Sequence, residues 1–120
     1  MIDFNKCSEK EKQYLLEVVK RDGFVIKYIK NPSLELQLEA VKQHGYAIQY
    51  IQNPSVEVQL EAVKQNGCAI EYIHNPSIEV QLEAVKQNGF AIKYINNPCQ
   101  EVIKISKMNF IEKMKYFCKE

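Results

Sequence analysis

The sequence predicts an all-α fold, a short α-solenoid of stacked two-helix repeats with a capping helix at each end. Three blocks of 22 residues, 31–52, 53–74 and 75–96, align without a gap, and sixteen of their columns are identical in all three. Apolar residues return at helical spacing within each block. Each block also opens on Asn-Pro-Ser and carries a single glycine past its middle, the punctuation of a helix, a turn and a second helix.

From the N-terminus, Met1-Ile2-Asp3-Phe4 simply begins a soluble protein. No apolar run has the length that a secretory signal or a membrane span needs. Ser8 with Glu11 three residues later is a capping-box pattern, and the helix it opens carries solvated charge at Lys10, Lys12 and Lys20. Residues 16–30, LEVVKRDGFVIKYIK, match the later two-thirds of the unit with Gly23 in the glycine column. Residues 1–30 are therefore an N-terminal cap and a degenerate repeat.

In the first full unit, Asn31-Pro32 predicts an N-cap followed by proline at the first helical position, where its missing N–H costs nothing. The helix is expected to run to about Gln43. Leu34, Leu38 and Val41 fall at i, i+4 and i+7, with Leu36 and Ala40 beside them, so the apolar face is wide enough to touch neighbours on both sides. The columns Leu34/Val56/Ile78 and Leu36/Val58/Val80 exchange aliphatics only and are assigned to the core. Gly45 is the expected left-handed residue that ends the helix. A shorter helix, 3₁₀ in part, follows over Ala47–Ile51. Isolated helices shorter than about 12–15 residues are marginal in water, so stability must come from stacking. With layers about 8–10 Å apart, four to five of them make a rod roughly 40–50 Å long.

NPCQEV (97–102) opens one more unit before the pattern is lost. Beyond it Phe110, Ile111, Met114, Phe117 and Cys118 form an apolar stripe, with Glu112, Lys113, Lys115 and Lys119 on the other side. This helix is expected to fold back over the last repeat as a cap; a partner-binding amphipathic helix would carry the same pattern.

The chain of 120 residues, 46% apolar, is long enough for a single domain with its own core. Cys7, Cys68, Cys99 and Cys118 show no CxxC or framework spacing, which suits a reducing compartment and places the protein in a cytoplasm, bacterial or host. The net charge of +1 is uneven: both terminal segments, 1–30 and 97–120, are basic and the middle, 31–96, is acidic. An acidic middle argues against a continuous phosphate-binding groove.

The unit NPSxExQLEAVKQxGxAIxYIx resembles a repeat of uncharacterised bacterial and viral proteins grouped as a domain of unknown function. Over residues 9–102 the plan is also similar to leucine-rich-variant and HEAT-like α-solenoids. The resemblance implies an architecture and a habit of macromolecular interaction, with no catalytic residue or cofactor attached. The 22-residue period and the lack of a cysteine cluster depart from leucine-rich variants, so an iron–sulfur role is not implied.

Invariant columns serve stacking, and columns that vary while facing solvent are the candidates for recognition. Three columns change charge and hydrogen-bonding character: His44/Asn66/Asn88, Gln49/Glu71/Lys93 and Gln52/His74/Asn96. Recurring on the turn and short helix of every layer, they are expected to line one edge that reads a partner; drift on a solvated face is the competing reading. The Tyr46/Cys68/Phe90 column, with Phe24 before it, reads as a half-buried pocket beside the turn, and Cys68 as packing. Gln37, Gln59 and Gln81 and the Asn-Pro-Ser turns read as structural amide ladders. Glu39 with Lys42, and their equivalents, are i, i+3 pairs worth a few tenths of a kcal/mol. Tyr28, Tyr50, Tyr72 and Tyr94 form an aromatic ladder, assigned to wedging between layers over base stacking, since no arginine accompanies it.

The two histidines, His44 and His74, lie in different columns, and all four glycines sit at the repeat turn. No phosphate loop, HExxH or acidic metal pair appears, so the expectation is a non-enzyme without cofactor or metal. The expected activity is protein–protein interaction as an adaptor or small inhibitor, by a monomer or weak dimer that engages no membrane. The alternatives are nucleic-acid binding through Lys27, Lys30, Lys104, Lys107 and Lys113, or self-assembly through imperfectly capped ends.

Overall fold

The structure is a computed structural model and describes residues 1–118; Lys119, the last member of the solvated side expected for the C-terminal helix, lies outside them. Six α-helices follow in order: α1 (Glu9–Arg21), α2 (Leu34–Gln43), α3 (Val56–Gln65), α4 (Ile78–Gln87), α5 (Gln100–Ser106) and α6 (Phe110–Phe117). Between the first five stand 3₁₀ helices Gly23–Tyr28, Gly45–Tyr50, Gly67–Tyr72 and Gly89–Tyr94. The α-helices α1 to α5 pack side by side in one row and the 3₁₀ helices in a second, giving a rod of 49 × 27 × 21 Å. This is the α-solenoid expected, at the expected length.

The start of each unit differs from the sequence reading. Asn31, Asn53, Asn75 and Asn97 are left-handed, with φ between 49° and 55°, and stand outside the helix. Serine is the N-cap: Ser33, Ser55 and Ser77 accept from the N–H of Leu36, Val58 and Val80 at 3.2–3.3 Å. Asparagine tolerates the left-handed region better than other side chains, so it reverses the chain ahead of proline and leaves the capping bond to the hydroxyl. Cys99 takes the cap position before α5 without a side-chain bond, and that helix is shorter.

The glycines also serve a different purpose. None has positive φ; α2, α3 and α4 end instead on extended residues, His44, Asn66 and Asn88. A Cβ on Gly45 would lie 2.5 Å from the Ala62 carbonyl oxygen of the next layer, and Gly23, Gly67 and Gly89 meet Ala40, Ala84 and Ser106 in the same way. Glycine here permits close approach of backbones, not a special dihedral. The second helix is 3₁₀ throughout and starts at the glycine itself.

The core repeats with the layers. Val41, Val63 and Val85, Ala47, Ala69 and Ala91, and the column Leu36/Val58/Val80/Val102 are sealed from solvent, and no polar side chain is buried among the described residues. Burying such an aliphatic side chain contributes about 1.5–3 kcal/mol. Column 34 does not belong to this core: Leu34, Val56 and Ile78 are 47%, 46% and 55% exposed. As the first helical residue each sits at the rim of its layer, two positions before the residue that turns inward. The glutamines bond within their own layer, Gln37, Gln59 and Gln81 each donating to the carbonyl of Pro32, Pro54 and Pro76 at 3.0 Å. The Glu39–Lys42 type of pair does not close; the ion pairs among the described residues are Lys12–Glu9 and Lys20–Glu17, both in α1.

At the N-terminus the Ser8–Glu11 capping box forms, at 2.8 and 3.1 Å, and the hydrogen bonds from Ser8 hold the Glu11 carboxyl below its ordinary value. A short parallel pair is unforeseen: β1 (Ile2–Asp3) runs beside β2 (Ile29–Lys30). The C-terminal helix folds back on the last repeat as expected, but its apolar stripe does not turn inward. Phe110, Ile111, Met114 and Phe117 face solvent, and nothing in α6 is buried. The helix is held by its other side, where Lys113 donates to the Val85 carbonyl at 2.8 Å and the Tyr116 hydroxyl to Glu101 at 2.6 Å. In the 22-residue register Lys113 takes the place of buried Ala91 and Ile111 that of Gly89, so this segment cannot repeat the buried 3₁₀ turn.

Replacing Gly67 by alanine is expected to destabilise the rod by about 1–3 kcal/mol, the cost of overpacking against an immovable carbonyl. Urea unfolding of the variant beside a Gln65→Ala control, which leaves stability within about 0.5 kcal/mol, reads the difference.

Candidate functional site

The three variable columns separate once folded. Asn66 and Asn88, like Asp22 before them, cap the following 3₁₀ helix, each side chain accepting from the N–H of Cys68, Phe90 or Phe24 at 3.0 Å. His44 makes no such bond and stacks on Phe24, ring centroids 4.4 Å apart and planes 11° apart. This column, expected on the recognition edge, closes turns and joins layers. Asn88 also donates to the Cys68 sulfur at 3.4 Å, in keeping with Cys68 as a packing residue.

Columns 49 and 52 remain exposed. Glu71, His74 and Asn96 meet around a cleft of about 500 Å³ between two layers, together with Tyr72, Asn75, Gln81 and Tyr94. Gln52 lines a larger cleft, about 910 Å³, with Met1, Phe4 and Asn5. Gln49 turns back and donates to the Tyr46 carbonyl at 3.0 Å. Lys93 stands 5.1 Å over the Tyr94 ring and borders a separate hollow of about 510 Å³ with Asn88, Phe90, Met108 and Lys113. The site is therefore two interlayer clefts, one lined by Gln52 and one by Glu71, His74 and Asn96, with Lys93 at a separate hollow.

The tyrosines form the walls. Tyr50 meets Phe24 edge-on at 6.3 Å, and Tyr72 meets Tyr46 at 5.7 Å, so each ring wedges against the preceding layer with an exposed outer rim. Lys27 lies 5.1 Å over Tyr28 and 5.9 Å over Tyr50, an attraction between cation and ring face. Hydrogen bonding to the Glu71 carboxylate holds the Tyr72 phenol above its ordinary value, with desolvation and the negative charge of Glu71 acting in the same direction.

Two surfaces escaped the sequence reading. Phe90 is 79% exposed, because no further layer brings a tyrosine and a cap residue onto it as Tyr50 and His44 cover Phe24. Together with Phe110, 80% exposed, and with Ile111 and Met114, it leaves the C-terminal end rich in exposed apolar side chains. The signal was present in Lys113 and Ile111, which occupy alanine and glycine columns once Tyr116 is aligned with Tyr94. The second surface is the exposed row Leu34, Val56 and Ile78, each followed by an exposed glutamate, Glu35, Glu57 and Glu79. Among the described residues no three His, Cys, Asp or Glu side chains gather as metal ligands, and no helix is long and apolar enough to cross a membrane.

Stacked layers of one α-helix and one 3₁₀ helix define an all-α solenoid. The chain belongs to the family described as Domain of unknown function (DUF4116), which matches it twice, over residues 33–77 and 55–98. The two matches start one repeat apart. No curated protein and no solved structure matches the chain.

Changing Glu71 to glutamine is expected to lower the midpoint of Tyr72, since it replaces the carboxylate acceptor by a weaker neutral one and removes the neighbouring negative charge. With ¹³C-labelled tyrosine, an NMR pH titration resolves this ring among the seven tyrosines; an unmoved midpoint refutes the assigned contact.

Proposed function

We propose that this protein is a non-catalytic protein-binding module, an adaptor or small inhibitor of the cytoplasm, that docks a target along the edge formed by columns 49 and 52. One observation carries the reading: on a scaffold that repeats from layer to layer, the exposed residues of these two columns change from Gln49 and Gln52 to Glu71 and His74 to Lys93 and Asn96. Packing places no demand on such exposed positions, and an edge whose charge changes from layer to layer discriminates among partners. A bacterial or viral setting, and a family unit made of two 22-residue repeats like those of other helical solenoids, belong to the same reading.

A specific observation favours a second one. Phe90, Phe110, Ile111 and Met114 are all exposed at the C-terminal end, and such a concentration of apolar side chains marks an association surface. Self-assembly through that end is the alternative.

For the first reading, the tagged chain is used to capture protein from a nuclease-treated lysate of its native host. Exchanging the two charges, Glu71→Lys with Lys93→Glu, is expected to reduce recovery of the partner at least tenfold; unchanged recovery moves the docking surface elsewhere. For the second, static light scattering over a concentration series is expected to show dimer that disappears when Phe110, Ile111 and Met114 are all serine. A wild-type mass that stays monomeric at about 1 mM discards it.

A further inference from the structure

The N-terminal segment shows how an extended chain sits on this edge. Ile2 pairs with Ile29 and Asp3 with Lys30 in parallel register. The Asp3 carboxylate also accepts from the side-chain amide of left-handed Asn31 at 3.4 Å, and Phe4 packs against the core. Met1, Phe4 and Asn5 thereby complete the wall of a cleft whose other sides are residues 29–33, Gln37 and residues 50–53.

The receiving side of this arrangement recurs in every layer. Ile29, Ile51, Ile73 and Ile95 share one extended conformation, with φ of −112°, −104°, −104° and −106° and ψ of 121°, 121°, 121° and 122°. A left-handed asparagine follows two residues later each time, as Asn31, Asn53, Asn75 and Asn97. The cleft lined by residues 73–76, Gln81 and residues 94–96 is that of the first layer moved along by two repeats, without the N-terminal segment. Among the described residues, the N–H groups of Gln52, Asn53, His74, Asn75, Asn96 and Asn97 donate to no backbone carbonyl. An extended backbone edge with free donors is a template for an added strand.

We infer that the unpaired dipeptides Ile51–Gln52, Ile73–His74 and Ile95–Asn96 bind an extended peptide of a partner protein by parallel β-pairing, as β2 binds β1. This rests on the protein-binding reading above and names its mode. The preferred peptide alternates apolar, polar and apolar residues in the manner of Ile2-Asp3-Phe4. Its middle side chain supplies an acceptor to the asparagine amide, as Asp3 does, and the apolar residue after it lines the cleft beside tyrosine, as Phe4 does. Columns 49 and 52 flank the bound strand and set the preferred charge beside it, basic next to Glu71 and acidic next to Lys93. The occupant is another protein, because in each copy of this chain the N-terminal segment is already held on its own β2.

The probe is the synthetic hexapeptide Met-Ile-Asp-Phe-Asn-Lys, titrated into the ¹⁵N-labelled full chain and followed by amide chemical shifts. Perturbation is expected at Gln52–Asn53, His74–Asn75 and Asn96–Asn97. Two analogues are compared, one N-methylated at Ile2 and Phe4, the other at Asp3 and Asn5. Alternate N–H groups of a strand point to opposite sides, so one analogue is expected to bind at least tenfold more weakly and the other about as well as the parent. Shifts elsewhere, no shifts at about 1 mM peptide, or equal weakening by both analogues overturns the inference. Capture of a charge-sensitive partner combined with failure of the peptide would remove this mode and leave the protein-binding reading standing. Peptide binding without any captured partner would do the reverse.

Discussion

Everything in this rod depends on how closely one backbone approaches the next at the glycine column. Gly23, Gly45, Gly67 and Gly89 each lie so near the carbonyl of Ala40, Ala62, Ala84 or Ser106 that no side chain fits between. That contact fixes the distance and rotation from layer to layer. With the spacing set, the small residues Ala40, Ala62 and Ala84 and the valines beside them fill what remains, and no polar side chain is sealed inside. A close-packed interface of this kind tolerates little change of volume, which accounts for the identity of the buried alanine and valine columns, as at Ala40, Val41 and Ala47, across the three full units.

The same constraint decides where variation can go. Each layer must reverse direction twice, and it does so with left-handed asparagine before the α-helix and an extended cap residue after it. The cap column bonds or stacks on its neighbours and so loses its freedom to address a partner. The positions left free are those on the outer side of the 3₁₀ helix and in the extended dipeptide that follows it. They recur at one layer's interval along clefts edged by tyrosine, and the backbone N–H groups of the dipeptides there donate to no backbone carbonyl among the described residues.

The two ends solve the problem of an open stack in different ways. At the first layer a charged helix with a closed capping box turns lysines outward, and the leading residues lie along the edge as a strand. At the last, the register breaks: Lys113 stands where alanine is buried and Ile111 where glycine admits the next layer. Lys113 instead reaches the Val85 carbonyl near the end of α4, where a cation meets the negative end of the helix, and burial holds its ammonium below the ordinary value. The Glu101 carboxylate that accepts from Tyr116 likewise holds that phenol above its own. Anchored by these polar contacts, α6 presents its apolar stripe to solvent.

The period, the all-α class and the columns buried at Leu36, Ala40 and Val41 were all legible in the chain, because a repeat that must stack on itself writes its packing into residues that are identical or exchange only aliphatics; the Ser8–Glu11 box was legible from its local spacing. The identity of the exposed columns 49 and 52 was legible for the same reason in reverse. What the chain alone left undecided were questions of direction. Serine and asparagine both cap helices, glycine serves both a left-handed turn and a close approach, and an amphipathic stripe can face inward or outward. Local chemistry is the same in each pair, so only the position of the neighbouring layer chose between them: the Ala62 carbonyl over Gly45, the missing layer over Phe90, and the extended Ile29 that draws Ile2 into a strand.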